Sequence, residues 1–199
     1  MLPFPLNLWP VRGILPQNPD VIVALDYGVT VSKRNSDATN GSIKTATEFL
    51  KNFPEAHIVF GTSSHSFQGS AAFSTKEKKR LLEQLRVPEE KFFYAGGITN
   101  TVEEACAIRR VLQEQKIQPK EILVVCDRLH SRSVRFVFES VFPEVRISLF
   151  FMYEAAVQHD SIFPVLRSRW KWFLANVERQ AALRIMGLDW VAKFKQRAE

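Results

Sequence analysis

A chain of 199 residues argues for one domain with an appendage rather than two full domains. Apolar residues make up 46% and charged residues 24%, an ordinary globular balance that excludes wholesale disorder; no uncharged apolar run reaches the ~18 residues of a membrane-spanning helix. Lys and Arg outnumber Asp and Glu by 27 to 21, but the excess is local: residues 167–199 hold eight basic and three acidic side chains, a net of +5.

The first nineteen residues carry five prolines and one charge, Arg12. They lack the basic start, unbroken apolar stretch and small-residue cleavage site of a secretory signal. Residues 1–19 therefore read as an extended arm, with Phe4 and Trp9 as anchors. Val21–Leu25 is the first strand, rich in β-branched residues. A polar loop containing Asn40 and Gly41 follows. Ile43, Ala46, Phe49, Leu50 and Phe53 then fall on one helical face, which Pro54 ends. His57–Phe60 is a second strand ending at Gly61. Ser74 and Glu77 have capping-box spacing and open a helix with Leu81, Leu82 and Leu85 inward. Phe92–Tyr94 is a third strand.

Thr101 and Glu104 form a second capping box before a helix with Ala105, Ile108 and Leu112 inward. Ile122–Cys126 is the clearest buried strand. Val134, Val137, Phe138 and Val141 recur at helical spacing up to Pro143, and a fifth strand runs from Val145 to Phe151. Near-continuous apolar strands alternating with amphipathic helices predict an α/β fold over residues 20–163. It is a Rossmann-like three-layer sandwich with a mostly parallel sheet of about five strands. Residues 164–199 form a basic, amphipathic C-terminal helical extension packed on it.

In open sheets of this class, ligands bind beyond the carboxyl ends of the strands, near the point where strand order reverses. The segments just after the strands therefore hold the candidate site. Asp26 could bind a ribose hydroxyl, a cation or an amine, or cap a turn. Gly61, Thr62 and Ser63 suit an anion cradle, because small residues let backbone amides approach a ligand. Asn100 could hydrogen-bond a ligand, with Thr101 beside it at the start of the third helix. Asp127–Arg132 is the richest stretch. Ser131 can cap the following helix, which puts Arg132 and Arg135 at the positive end of its dipole, and a bound phosphate or carboxylate would offset that cost. The alternative is an internal pair of these arginines with Asp127 or Glu103; otherwise Asp127 could join the ligand shell. His130 could donate to the anion, move a proton, or be structural.

Other chemistries find little support. Asp26, His65, Asp127 and His130 show no metal-ligand spacing. No G-x-G-x-x-G, P-loop lysine or G-x-S-x-G elbow occurs. Cys106 and Cys126 both lie in apolar runs, so a disulfide framework is not expected and a reducing, cytoplasmic compartment fits.

Taken in order, Asp20–Leu25, Ile58–Gly61, Val87–Lys91, Asn100–Ala105 and Leu123–Arg132 resemble the motifs of the YdcF-like and SanA-like proteins of bacteria. The resemblance covers roughly residues 20–190. It implies a Rossmann-type fold, a link to cell-envelope barrier functions, and S-adenosylmethionine as a candidate ligand. Carried over by position, His130, Arg132, Asn100, Thr101 and the Gly61 loop would line the pocket. The chain departs from the family pattern at Ala95, where an acidic residue is expected, at Glu104, often Asn, and at Ser133, commonly Arg.

In the C-terminal extension, Leu166, Trp170, Phe173, Leu174, Val177, Ala181, Ile185 and Leu188 form one stripe, expected to pack on the domain. Trp172, Trp190 and Phe194 fall off it and suggest a further surface such as a dimer contact. Because the charge sits on a helix with an apolar stripe, nucleic acid is disfavoured as a partner.

The expected function is binding of a small anionic or nucleotide-like ligand at the strand ends. If a reaction occurs, it is a transfer or hydrolysis on a phosphate- or nucleotide-containing molecule, with His130 moving the proton and Arg132 clamping the anion. The alternative is a non-catalytic, envelope-linked module that contacts the inner face of a membrane, or a partner, through its basic helix.

Overall fold

The computed structural model describes residues 13, 15–28, 35–63, 70–152 and 168–178. The arm anchors Phe4 and Trp9, and Leu166, Ala181, Ile185, Leu188, Trp190 and Phe194 of the extension, lie outside those residues.

Five strands form one sheet: β1 (Val21–Ala24), β2 (His57–Ser63), β3 (Phe92–Ile98), β4 (Glu121–Cys126) and β5 (Arg146–Phe151). Their spatial order is β3-β2-β1-β4-β5, and every neighbouring pair is parallel. β1 and β4 are buried along their whole length, as strands covered on both faces must be. The helices are α1 (Asp37–Asn52), α2 (Ser70–Gln84), α3 (Thr101–Glu114) and α4 (Ser131–Val141). α1 packs beside α2 and α3 beside α4. With right-handed crossovers these pairs cover opposite faces, giving the three-layer Rossmann-like sandwich.

Local sequence explains most boundaries. Ser36 caps α1, its hydroxyl accepting from the Thr39 amide at 3.0 Å. The helix therefore starts earlier than expected, and Asn40 and Gly41 lie within it rather than in a loop. Pro54 follows its C-cap, Phe53. α2 and α3 end on left-handed residues, Arg86 (φ 58) and Lys116 (φ 56). The next amides, of Val87 and Ile117, reach back to the carbonyls of Leu82 and Leu112 at 3.0 and 2.8 Å. No glycine marks either stop.

α2 begins at Ser70, so Ser74 is a buried interior position and not an N-cap. Asn100 caps α3 by accepting from the amides of Val102 and Glu103, both at 3.0 Å. The expected Thr101–Glu104 box gives way to an Asn cap one residue earlier, with Glu103 reaching back to the Thr99 amide at 2.8 Å. Glu104 is left free to point inward.

Residues 169–178 form a helix, here α5. It packs in the opposite sense to the expected stripe. Trp172 and Asn176 are buried, whereas Trp170 and Leu174 are exposed. Apolar periodicity reveals a stripe but not what it faces. Here the indole N–H of Trp172 has a buried carboxylate to reach, and that contact sets the helix orientation.

Candidate functional site

The order of strands reverses between β1 and β4. The chain leaves β1 towards β2 on one side and leaves β4 towards β5 on the other. The carboxyl ends of these two strands carry Asp26–Gly28 and Asp127–His130.

At the β4 end, the Asp127 amide donates to the Tyr27 phenol oxygen at 2.6 Å, tying the two strand ends together. Asp127 Oδ1 accepts from the Leu129 amide at 2.8 Å and from Trp172 Nε1 at 3.1 Å. The Leu129 bond is the short Asx turn that brings the chain round to His130. His130 Nε2 lies 3.2 Å from Thr101 Oγ1 and so bridges the starts of α4 and α3. Three rings meet edge to face around this corner. His130 and Trp172 are 5.3 Å apart, Tyr27 and His130 6.1 Å, and Tyr27 and Trp172 6.4 Å. Such pairs are each worth about 0.5–1.5 kcal/mol beyond their buried area. Burial, followed by the nearness of Cys126 and Asp127, holds the Tyr27 phenol well above its ordinary pKa, so it stays neutral.

α4 starts from this corner without a side-chain cap. His130 holds the N-cap position with helical backbone angles (φ −84, ψ −16), and its side chain makes no capping hydrogen bond. The first turn has no acidic residue and contains Arg132, which is half-buried. Ser133, in the same turn, is 1% exposed, and its hydroxyl has no hydrogen-bond partner among the described residues. A positive helix end, a guanidinium and an unsatisfied hydroxyl are the chemistry of an anion site.

A second polar cluster sits at the β1 and β2 ends and is built differently. Lys78 Nζ, from α2, is 2.8 Å from Asp26 Oδ2, with the two side chains 0% and 1% exposed. The same ammonium donates to the Gly61 carbonyl and lies 5.7 Å from the centre of the Phe60 ring. Asp26 Oδ1 accepts from the Gly28 amide at 2.9 Å and the Thr39 hydroxyl at 3.0 Å. Glu104, from α3, completes the cluster, with Oε1 accepting from the Asp26 amide at 3.1 Å. Burial, and secondarily the Asp26 charge, push the Glu104 carboxyl up to about 8; the Asp26 amide, Lys78 and the Gly61 amide oppose the shift. The cluster thus sets the Asp26–Lys78 ion pair beside an acid that holds its proton to unusually high pH.

Gly61 is where this cluster meets the sheet. A Cβ there would come within 2.4 Å of Ile98 Cδ1 and 2.9 Å of Glu104 Oε1. Gly61, Thr62 and Ser63 belong to β2, pairing with Ala95, Gly97 and Ile98 across a register shift. The Thr62 hydroxyl donates to the Ala95 carbonyl at 3.3 Å. The expected cradle after the second strand is thus sheet, because β2 and β3 run on together through their glycines.

The structure therefore divides the expected site residues. Thr101, Asp127, His130 and Arg132 converge at the β4 corner. Asp26 and Gly61 join the Lys78 cluster, and Asn100 serves as the α3 cap. Sequence reading missed Tyr27, Lys78, Glu104 and Trp172. Lys78 continues the 78-81-82-85 helical stripe, and a lysine on an apolar face was a usable signal. Glu104 similarly precedes Ile108 by one helical turn on the inner face. Trp172 was expected off the packing stripe, on a further surface such as a dimer contact; it is instead buried in its own domain against Asp127.

At the other end of the sheet, Asn18, Asp20, Asn52, Phe53, His57 and Gln118 are among the residues lining a cleft of about 260 Å³. One of its two carboxylates is committed to structure: Asp20 Oδ2 accepts from the amides of Lys120 and Glu121 at 2.6 and 3.0 Å, and Glu55 is the other. Partial burial, reinforced by Lys91, holds His57 below its ordinary pKa and favours the neutral ring. No known family model and no curated protein matches the chain.

Proposed function

We propose that the protein is a YdcF-like binding protein that holds a small anionic, phosphate- or nucleotide-like ligand at the start of α4. One observation carries this reading. At the strand-order reversal, α4 begins without a side-chain cap, and its first turn holds Arg132 and a buried Ser133 hydroxyl that has no hydrogen-bond partner among the described residues. An anion there would accept from the helix amides and from both side chains, and would offset the repulsion between Arg132 and the helix dipole. In this reading His130, held by Thr101, donates to that anion or exchanges a proton with it. S-adenosylmethionine is the named candidate supplied by the family resemblance, its carboxylate being the group for α4.

The reading is tested by thermal shift of the full chain against nucleotides, sugar phosphates and S-adenosylmethionine. A ligand present at 100 times its Kd adds about 2.7 kcal/mol of stability, a readily measured rise in Tm. The double variant His130→Ala, Arg132→Ala should abolish that rise. If a ligand stabilises the wild type and this variant equally, its site is elsewhere. If nothing in the panel shifts the wild type, the ligand class is wrong.

A further inference from the structure

We propose that the outward face of α5 docks the protein on an anionic lipid surface. The helix has two contrasting sides. Trp172 and Asn176, one turn apart, are turned into the domain. Trp170 and Leu174, also one turn apart, lie away from it at 66% and 42% exposure. The Trp170 indole stacks on the half-buried Phe173 at 5.5 Å with 26° between the rings, and Leu174 lies one turn from Trp170 on the same outward side.

The neighbouring charges select the partner. Exposed Arg169 and Lys171 flank the indole, within a 33-residue segment of net charge +5. An indole and a leucine set among cations complement a bilayer interface, where the ring sits at headgroup level and the cations meet anionic lipid. A second copy of this helix would bring like charge to the contact. Duplex nucleic acid would meet the cations through its phosphates but leave the rings and Leu174 without an apolar partner. The inner side also contributes. Trp172 is fixed to Asp127 and packed against His130 and Tyr27, so the outer side is presented in one orientation rather than on a loose tail.

The full chain is sedimented with phosphatidylcholine vesicles and with vesicles containing phosphatidylglycerol. The protein should pellet with the anionic vesicles, and less so as salt is raised. The Trp170→Ala, Leu174→Ala double variant should partition at least about tenfold more weakly, since it removes the apolar area that enters the interface. Trp170→Phe, which keeps a ring, should retain most binding. Both positions are exposed, so an unchanged unfolding midpoint separates lost docking from lost folding. Wild-type protein that pellets with neither vesicle overturns the proposal, as does a double variant that pellets like wild type. A wild-type dimer that the double variant makes monomeric also overturns it, because the face is then a subunit contact.

Discussion

Two buried polar clusters share the carboxyl end of this sheet, and their difference separates architecture from candidate chemistry. Asp26, Lys78 and Glu104 satisfy one another: a carboxylate faces an ammonium at 2.8 Å, and the third acid accepts a backbone amide. The corner at the start of α4 is equally buried but differs in two respects. Its helix has no side-chain cap, and the buried Ser133 hydroxyl has no hydrogen-bond partner among the described residues. Charges that neutralise each other inside a fold hold elements together, here α2 and α3 to β1. A buried polar group left unsatisfied costs free energy unless something arrives to meet it.

Breaking the satisfied cluster should have the largest effect. Lys78→Ala leaves Asp26 buried and unpaired, and should cost about 3–5 kcal/mol in denaturant unfolding. Adding Asp26→Asn to that variant should recover part of the loss. A cost below about 1 kcal/mol would remove the contrast, since the pair would then not be a structural tie.

A second effect follows from the Glu104 carboxyl at about 8. Its native pKa lies above the unfolded value, so the folded state binds the extra proton. The associated stability is fully present below about pH 4.5 and is lost as pH rises through about 8, at up to roughly 1.4 kcal/mol per unit. Subtracting the profile of Glu104→Gln from that of the wild type isolates this contribution. A flat difference would mean the acid is not protonated in the cluster.

The smallest stability change is expected at the corner where α4 starts. Ser133→Ala removes an unsatisfied hydroxyl and should alter stability by less than about 0.5 kcal/mol, or raise it slightly. It should nevertheless weaken any ligand that shifts Tm through His130 and Arg132. A loss of stability comparable to that of Lys78→Ala would show that Ser133 is part of the scaffold.

Much of the fold was legible because a doubly covered parallel sheet imposes continuous apolar strands. Val21–Ala24 and Glu121–Cys126 are buried throughout and were readable as such. Legibility failed where tertiary pairing overrides local character. Gly61–Ser63 and Ala95–Ile98 look like loops but extend two strands that pair with each other. At the β4 corner, Asp127, His130 and Arg132 could be singled out in the sequence because they directly follow a strand. Lys78 and Glu104 were not, because both meet Asp26 from helices that the sequence alone does not bring beside it. Trp172 shows the same limit: its partner lies 45 residues away, and no local pattern announces it.

The strand order also bears on the protein's birth. β1 is central, yet its two neighbours are made far apart in time: β2 starts at residue 57 and β4 at residue 121. During synthesis, a three-stranded half can assemble from β1, β2 and β3 while the other edge of β1 has nothing to pair with. Contacts that fasten that edge span about a hundred residues, such as Asp20 to Lys120 and Tyr27 to Asp127. Until residue 126 has cleared the ribosome, the emerging chain presents a bare apolar strand edge, the kind of surface that invites pairing with another nascent chain.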